Sequence, residues 1–457
     1  MHSSAAGVCH VVAMPFPGRG HINPMMSLCK VLASKRPNQI LITFVVTEEW
    51  LGFIGADPKP DAIRFAAIPN VIHEREKAAN FPAFYEAVMT KMEAPFERLL
   101  DRLEPPPTAI LGCVELRWPI AVANRRNIPV AAFWTMSASF YFMLHHLDVF
   151  ARHRHLTVDK DTLDGPAENI PGISSADLAD LQTVLHENDQ RVLQLALECI
   201  SKVPKANYLL LTTVQEIEAE TIDSLKAIFP FPVYATGPAI PYLELAENPS
   251  VNNDHSHDYI KWLDSQPAES VLYISLGSFL SVSSALMNVI IEALNNCNIV
   301  YFWVARGETS RLKDKCGDKG MVVPWCDQLK VLSHSSIGGF WSHCGWNSTL
   351  EALFAGVPML TFPLFLDQVP NSSLIADEWK NGCKVGKSKL ESEDTVAKEN
   401  IEEVVKRFMD IESQEGKKIR DRARGLKVIC HRAIVKGGSS DGNLDAFIRD
   451  ISKPLMR

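Results

Sequence analysis

The sequence lacks the cysteine patterns of disulfide-bonded and metal-binding domains. Its 10 cysteines are scattered, with no CxxC pair and no spacing typical of metal ligands, which indicates reduced thiols in a cytosolic protein. The N-terminus has no basic segment, and its first apolar run breaks at Pro15, too early for a secretory signal. We therefore expect a cytoplasmic protein.

Long apolar runs and basic clusters are missing as well. No apolar stretch reaches the roughly 18 residues that indicate a transmembrane helix, so we expect no membrane span. Lys and Arg total 46 against 54 Asp and Glu, for a net charge of -8, and no basic run stands out. This balance argues against a nucleic-acid or anionic-membrane surface and favours a small-molecule ligand.

The chain has enough apolar material for two domains. With 457 residues, 46% of them hydrophobic, it can form two cores of roughly 200 residues each. Short runs rich in Val, Ile and Leu recur, each followed by a polar turn and a segment of helical periodicity, which predicts parallel sheets with crossover helices. The predicted strands are Val8–Met14, Ile40–Val46, Ala109–Cys113, Val130–Phe133 and Tyr208–Thr212, then Val271–Leu276, Val300–Ala305, Gly320–Val323, Ser336–Phe340 and Val357–Phe362.

A largely polar stretch separates the two series of strands and is interpreted as a linker. We expect a first domain over residues 1–240, a linker over 241–257, a second domain over 258–435, and a final helix over 436–457 that packs back on the first domain. The predicted fold is α/β with two doubly wound halves, each binding ligands at the carboxyl ends of its strands.

One segment of the second half carries the strongest signal. Ser342 is expected to cap a helix. His343, Asn347 and Glu351 follow at spacings of four, so that they share one helix face. A helix start offers unpaired N–H groups and a partial positive charge, and Gly345 lets the backbone approach closely. The segment therefore predicts a site for a nucleotide diphosphate.

Further side chains of this segment suit the nucleoside. Trp325 offers a flat face for a base, Gln328 a nearby amide, and Glu351 a carboxylate that accepts from two ribose hydroxyls. The alternative, which spacing alone leaves open, is that Trp325, Trp341 and Trp346 are core aromatic residues.

The segment resembles the 44-residue signature of the plant family-1 UDP-glycosyltransferases. It spans 44 positions, begins with Trp325, carries HCGWNS in its middle and ends on Asp367-Gln368. Similarity extends to the opening PFPGRGHINPM, to Leu276-Gly277-Ser278 and to the run FWVAR at 302–306. The resemblance implies a GT-B fold of two facing Rossmann-like domains with parallel sheets.

The resemblance also implies roles for individual residues. Trp325 would stack on uracil, and Gln328 and Glu351 would bind the ribose. The diphosphate would be held by Ser278, His343, Asn347 and Ser348, and the sugar would be contacted by Trp346, Asp367 and Gln368. Trp346 and Gln368 match the glucose-preferring pattern, which makes UDP-glucose the expected sugar donor. The expected UDP-sugar site also includes Gly20, Thr135, Cys326 and Gly345.

His21 is the candidate catalytic base. It follows the first strand in a Gly18-Arg19-Gly20 turn. A lone His is more often structural, but a position after a strand-terminal glycine turn, in a chain with a nucleotide site elsewhere, favours catalysis. An ordinary imidazole pKa near about 6.5 suits proton abstraction at neutral pH. In the family, the matching His takes the proton of the acceptor, which attacks the anomeric carbon with inversion. Thr135 resembles the residue that reaches a sugar hydroxyl, or it caps a helix.

The sequence departs from the family where the base is usually oriented by an Asp. Cys113 stands at that position, and a neutral thiol is a weak hydrogen-bond partner that cannot stabilise an imidazolium. Glu115 lies roughly 6.6 Å further along an extended strand and needs a local bend to replace the Asp. Two other possibilities are that His21 acts alone on acidic acceptors, and that the chain binds UDP-sugar and acceptor with weak or no turnover.

The remaining motifs favour no cofactor. Asp159-Lys160-Asp161 spells a metal motif of another glycosyltransferase fold, but it lies in a polar segment away from a strand end, so no metal is expected. The glycines around Arg19 lack the third Gly of a dinucleotide fingerprint. UDP-glucose is thus expected as a substrate and not as a cofactor. The expected acceptor is a small lipophilic plant metabolite, and the protein is expected to be a monomer. The expected acceptor pocket includes Phe16, His21 and residues 81–85 and 133–142.

Overall fold

The structure is a computed structural model. It describes residues 8–71, 81–154, 190–247, 256–277, 282–385 and 397–453. Ser278, the Asp159-Lys160-Asp161 motif and residues 248–255 of the expected linker lie outside the described residues.

The described residues divide into two compact units. The first contains the described residues up to Ile240 and those from Arg432 on, and the second contains those from Pro241 to His431. The division near residue 432 falls inside a helix, Gln414–Ile434. The segment expected as a linker carries the helix Tyr242–Glu247, and the next helix begins at Ser256.

The first unit is built on a seven-stranded parallel sheet. Its order is β3-β2-β1-β4-β5-β6-β7, and the pairings are parallel. The strands are β1 (Cys9–Met14), β2 (Ile40–Thr47), β3 (Ile63–Ile68), β4 (Ala109–Cys113), β5 (Val130–Trp134), β6 (Tyr208–Leu211) and β7 (Val233–Ala235). The central strands are buried, as expected for a sheet covered by helices.

Helices connect these strands in the right order for a doubly wound sheet. They span Arg19–Lys35, Glu48–Ile54, Phe81–Lys91, Glu93–Leu100, Pro119–Arg125, Ala138–Arg154, Gln190–Ile200 and Ala219–Ile228, with a 3₁₀ turn at Val203–Lys205. The C-terminal helix Ser439–Ile451 also belongs to this unit, where Phe447 packs against Tyr208 and Tyr234 with ring centroids 5.8 and 6.0 Å apart. Asn443 Nδ2 donates to the carbonyl of Ala235 at 2.9 Å.

The second unit has a six-stranded parallel sheet of order β10-β9-β8-β11-β12-β13. The strands are β8 (Val271–Ser275), β9 (Val300–Val304), β10 (Gly320–Val323), β11 (Ile337–Ser342), β12 (Met359–Thr361) and β13 (Gly382–Lys384). The helices not yet given are Ser256–Asp264, Ser284–Asn296, Thr309–Lys313, Gln328–Leu332, Trp346–Ala355, Gln368–Ser373 and Lys398–Met409, with a π-helical turn at Leu374–Glu378.

The predicted α/β fold of two parallel-sheet, Rossmann-like domains is confirmed. Each of the ten predicted runs overlaps a strand, whereas β3, β7 and β13 were not predicted. Within the described ranges, the search for a helix long and apolar enough to cross a membrane finds none.

Candidate active site

The predicted diphosphate-binding turn follows β11. Ser342 is the last residue of that strand, and the helix begins only at Trp346, with Gly345 as its N-cap. Between them, Cys344 has a left-handed backbone with a φ of 65°, and its N–H donates to Ser342 Oγ at 3.0 Å. The expectation that Ser342 caps this helix is wrong, because the left-handed residue turns the chain and delays the helix start.

His343 lies in this turn and not on the helix. Only Asn347 and Glu351 share a helix face, so the predicted three-residue face is wrong for His343. A Cβ at Gly345 would lie 2.5 Å from Nε2 of His343, and one at Gly277 would lie 3.2 Å from its Cδ2. Burial lowers the pKa of His343 to about 4, so a neutral ring is held at the helix start.

A hydrogen-bonded cluster forms where the ribose was expected. Gln328 Nε2 donates to Ser348 Oγ at 2.9 Å and to Glu351 Oε2 at 2.8 Å. Tyr273 donates its hydroxyl to Gln328 Oε1 at 3.0 Å and lies 3.5 Å from Cys326 Sγ. Burial raises the pKa of Glu351 to about 7. The cluster brings together four predicted site residues, with Tyr273 as an addition.

The three tryptophans of this segment have different environments. Trp325 is 53% exposed, whereas Trp341 and Trp346 are buried. Trp341 belongs to the core of the second unit, and the ring of Trp346 lies 6.3 Å from that of Trp379. An exposed indole is available to a base, and the core interpretation fits Trp341.

The Asp367-Gln368 pair begins a short helix that is tied to the same turn. Gln368 Oε1 accepts from two backbone N–H groups of the preceding turn at 2.8 and 3.0 Å. Asn371 Nδ2 donates to Asp367 Oδ2 at 2.8 Å and to the carbonyl of Cys344 at 2.9 Å. Burial raises the pKa of Asp367 to about 7. Asn371 thus couples the predicted sugar-contacting pair to the helix start.

In the first unit, His21 lies in the first turn of the helix Arg19–Lys35, whose N-cap is Gly18. The ring of Phe16 lies 5.0 Å from that of His21 and 5.7 and 5.4 Å from the rings of Phe84 and Tyr85. These aromatic residues, all within the expected acceptor pocket, form a buried cluster beside the imidazole.

Three polar side chains surround Nδ1 of His21. Thr135 Oγ1 lies 3.0 Å from it, Cys113 Sγ 3.3 Å and Glu115 Oε2 3.7 Å. The Cys113 thiol donates to Glu115 Oε2 at 2.8 Å. Because β1, β4 and β5 are neighbours in the sheet, residues that follow these strands meet at one edge.

Glu115 reaches His21 because β4 ends at Cys113. The N–H of Leu116 donates to the carbonyl of Cys113 at 3.0 Å, so the chain turns back immediately after the strand. The expectation that Glu115 lies further along an extended strand is wrong, and the local bend that it needed is present.

Thr135 lies beside His21 and does not cap the following helix. At the start of Ala138–Arg154, Glu218 accepts hydrogen bonds from the N–H of Ala138 at 3.2 Å and of Ser139 at 2.9 Å. Ser137 Oγ accepts from the N–H of Phe140 at 3.2 Å and is the N-cap. The helix-cap interpretation of Thr135 is therefore wrong, since Ser137 and Glu218 cap the helix and the threonine hydroxyl lies beside the imidazole.

Burial sets the ionisation of this group. It lowers the pKa of His21 to about 4, so the imidazole is neutral near pH 7. Burial, with the neighbouring Glu115 second, raises the pKa of the Cys113 thiol well above its usual range. A neutral imidazole accepts a proton, and a neutral thiol and a hydroxyl hold its other nitrogen.

The chain is similar over nearly its whole length to known plant enzymes. Residues 188–412 match the family model described as UDP-glucoronosyl and UDP-glucosyl transferase. UDP-glycosyltransferase 87A1 of Arabidopsis thaliana is 50% identical, over 96% of this chain and 100% of the relative. The chain is a family-1 plant UDP-glycosyltransferase. A second relative of the transferase, UDP-glycosyltransferase 87A2 of the same plant, is 48% identical over 97% of each chain.

Solved structures have the fold of the transferase. The Medicago truncatula UGT71G1 complexed with UDP-glucose has a TM-score of 0.82 at 24% identity, over 99% of this chain and 100% of that one. The Phytolacca americana UGT2 complexed with UDP-2fluoro-glucose and pterostilbene has a TM-score of 0.80 at 26% identity, over 98% and 100%. These matches agree with the GT-B assignment of the transferase.

The predicted UDP-sugar residues of the transferase fall in both units. Gly20 and Thr135 belong to the first, and the other described residues of the set belong to the second. Gly20 has open space where a Cβ would stand. Sequence reasoning missed Tyr273 and Asn371, because a buried Tyr in a strand and an Asn in a helix have the same local pattern as structural residues.

Proposed function

We propose that the transferase moves glucose from UDP-glucose to a hydroxyl or carboxyl group of a small lipophilic plant metabolite, with inversion and without a metal cofactor. It acts in the cytoplasm as a monomer. The observation that carries the proposal is the arrangement at His21, whose Nδ1 is surrounded by Thr135, Cys113 and Glu115 at 3.0 to 3.7 Å beside an aromatic cluster.

His21 Nε2 is the proposed base. Because Nδ1 is engaged by Thr135 and Cys113, the ring keeps its proton on Nδ1 and offers the Nε2 lone pair to the acceptor. The acceptor gives its proton to Nε2 while its oxygen forms a bond to the anomeric carbon. The bond from that carbon to the UDP oxygen breaks, and UDP leaves with the electron pair.

Glu115 supplies the negative charge that Cys113 lacks. An imidazolium formed on His21 would lie 3.7 Å from Glu115 Oε2, with the Cys113 thiol hydrogen bonded to the same oxygen. In a site of low dielectric constant, a charge at this distance stabilises the protonated base. This support favours turnover over the binding-only alternative.

Residues of the second unit support the proposed binding of the sugar nucleotide. Exposed Trp325 suits the base, the Gln328–Glu351 pair suits the ribose, and the helix start at Trp346 suits the diphosphate. The glucose preference is supported by Gln368 and by the similar Phytolacca americana protein, which is complexed with UDP-2fluoro-glucose.

Product formation by mass spectrometry tests the proposal. The purified protein is incubated with UDP-glucose and a panel of phenols, carboxylic acids and alcohols, with or without EDTA, beside the His21→Ala variant. We expect a single added hexose that survives EDTA, and a loss of roughly 10² to 10⁴ in rate for the variant.

Binding of UDP is measured on the same samples by calorimetry. UDP binding without product from any acceptor would overturn the enzymatic proposal in favour of a binding protein. Product from His21→Ala at the rate of the unchanged protein would exclude His21 as the base.

A further inference from the structure

The ligand atoms around His21 form a set that suits a metal ion. Nδ1 of His21, Sγ of Cys113 and a carboxylate oxygen of Glu115 all lie within 4.8 Å of one another, and among the described residues no other group of three such side chains does so. The separations are 3.3 Å for Nδ1–Sγ, 2.8 Å for Sγ–Oε2 and 3.7 Å for Nδ1–Oε2.

These separations are close to those of a tetrahedral zinc site. Zinc bonds of about 2.3 Å to sulfur and about 2.0–2.2 Å to nitrogen and oxygen place ligand atoms roughly 3.4–3.6 Å apart. Two of the three pairs are within a few tenths of an ångström of that range. The third, Sγ–Oε2, is short because a proton joins the two atoms, and it opens when the metal replaces that proton.

The charges also match. A thiolate, a carboxylate and a neutral imidazole carry two negative charges in all, so that a divalent cation makes the buried group neutral and avoids an unpaired charge. The side chains of His21 and Glu115 are 22% and 9% exposed, which gives an ion a route to a site whose thiol is buried. Thr135 Oγ1 lies 3.0 Å from Nδ1 and adds a further oxygen beside the group.

We propose that His21, Cys113 and Glu115 bind one Zn²⁺ ion and that the bound ion inhibits the transferase. Zn²⁺ takes the lone pair of Nδ1, so the imidazole proton moves from Nδ1 to Nε2. The Cys113 thiol loses its proton to solvent. Nε2 then carries a hydrogen and cannot accept the proton of the sugar acceptor. The inhibition rests on the proposed function of His21, whereas the binding does not.

Cobalt binding tests the site directly. The full-length protein is treated with EDTA, freed of chelator and titrated with Co²⁺, a spectroscopic probe that gives a thiolate-to-metal absorption band in tetrahedral sites. We expect a band that saturates at one equivalent, is displaced by Zn²⁺ and is absent in Cys113→Ala. In Glu115→Gln the affinity for Co²⁺ should fall by at least roughly 10-fold, because loss of a residue that only hydrogen bonds to a metal ligand already has an effect of that size.

Matched controls are Cys297→Ala and Cys383→Ala. Among the described residues, these two cysteines are half-buried and the others are buried, so they are the thiols most able to compete for the metal ion. Both variants should keep the absorption band. Melting temperature and UDP binding show that each variant is folded. A band that persists in Cys113→Ala, or the absence of a saturable band in the unchanged protein, would overturn the proposal.

Inhibition is measured on the same set. Zn²⁺ should stop glucosyl transfer by the unchanged protein, and EDTA should restore it. If cobalt binds at Cys113 but no variant or acceptor gives product, the proposed function fails and the metal site stands. If transfer proceeds and is unaffected by saturating Zn²⁺, the inhibitory role fails while the proposed function stands.

Discussion

The imidazole of His21 lies beside a hydroxyl, a thiol and a carboxylate at the edge of the first sheet. Its Nδ1 contacts a hydroxyl and a thiol, and the carboxylate of Glu115 lies behind the thiol at 3.7 Å. In the proposed mechanism, a side chain two positions from the expected Asp supplies the charge, because the chain turns at the end of β4.

This arrangement predicts that Glu115→Gln lowers kcat with little change in KM. Removing the charge weakens the imidazolium formed in the transition state, and the loss should be about 10-fold to 10²-fold, smaller than that for removing the base itself. Steady-state kinetics measure it, with Glu93→Gln as a control at a half-exposed glutamate that pairs with Arg125.

The double variant Cys113→Asp, Glu115→Gln distinguishes a positioning role from a structural one. It returns a carboxylate to the end of β4 beside His21, so kcat should recover towards that of the unchanged protein. A double variant as slow as Glu115→Gln, with normal UDP binding and melting temperature, would contradict the role of Glu115.

A second residue-scale prediction concerns pH. Burial raises the pKa of Glu351 to about 7, while a carboxylate that accepts from ribose hydroxyls must be ionised. UDP binding should therefore release a proton from Glu351 to solvent. The affinity for UDP should fall as pH drops from 8 to 6, by up to about 10-fold per pH unit below the pKa. Calorimetry across this range checks the expectation.

Glu351→Gln is the control for that measurement. The amide does not titrate, so any pH dependence that remains belongs to UDP itself or to other groups such as Asp367, whose pKa is raised to about 7 by burial. An unchanged slope in Glu351→Gln would exclude Glu351 as the titrating group.

At the scale of elements, the turns after β4 and β11 place the reactive groups. The β11 turn depends on a small residue at 345, since a Cβ there would lie 2.5 Å from His343 Nε2. His343 is half-buried, and its ring is also close to Gly277, where a Cβ would lie 3.2 Å from Cδ2, so the ring has limited room to move aside. The turn therefore couples the helix start to the position of the imidazole.

Gly345→Ala should weaken UDP binding and destabilise the fold by about 1–3 kcal/mol, the usual cost of inserting a methyl group into a packed site. Thermal melting and calorimetry measure the two effects. The control is Gly425→Ala, in the helix Gln414–Ile434 with open space around its Cβ position, which should be neutral or stabilising by roughly 0.5–1 kcal/mol. Equal melting temperatures for the two variants would contradict the steric argument.

At the scale of the whole molecule, the chain returns to its first unit at the end. The helix Ser439–Ile451 packs on the sheet edge at β7 through Phe447, which is buried, and through the hydrogen bond of Asn443 to Ala235. The C-terminal residues are thus part of the first unit's structure.

Phe447→Ala should destabilise the protein by about 3–5 kcal/mol, as for other buried phenylalanines. Scanning calorimetry measures this, and Phe53→Ala, at a side chain that is 49% exposed, should change stability by no more than about 0.5 kcal/mol. If the two variants melt together, the C-terminal helix does not contribute to the first unit as described.

Much of the architecture could be predicted from sequence, and the candidate nucleotide site was proposed from it, because both depend on local patterns. Buried parallel strands are continuous apolar runs, and ten of them were recognised. The strands β3, β7 and β13 were missed because β3 is only partly buried and β7 and β13 are three residues long, so none of them is a continuous apolar run. Trp325, Gln328 and Glu351 follow a spacing that is visible along the chain.

The surroundings of His21 were decided only by tertiary structure. Cys113 ends β4, Glu115 follows β4 and Thr135 follows β5, and no spacing in the sequence relates them to residue 21. They meet because the carboxyl ends of adjacent parallel strands share one edge of the sheet. In addition, a backbone hydrogen bond from Leu116 to Cys113 turns Glu115 back towards His21. Sequence alone determined the fold and the class of ligand, since these depend on periodicity and local motifs. The partners of the base depend on contacts between distant segments, which only the folded chain defines.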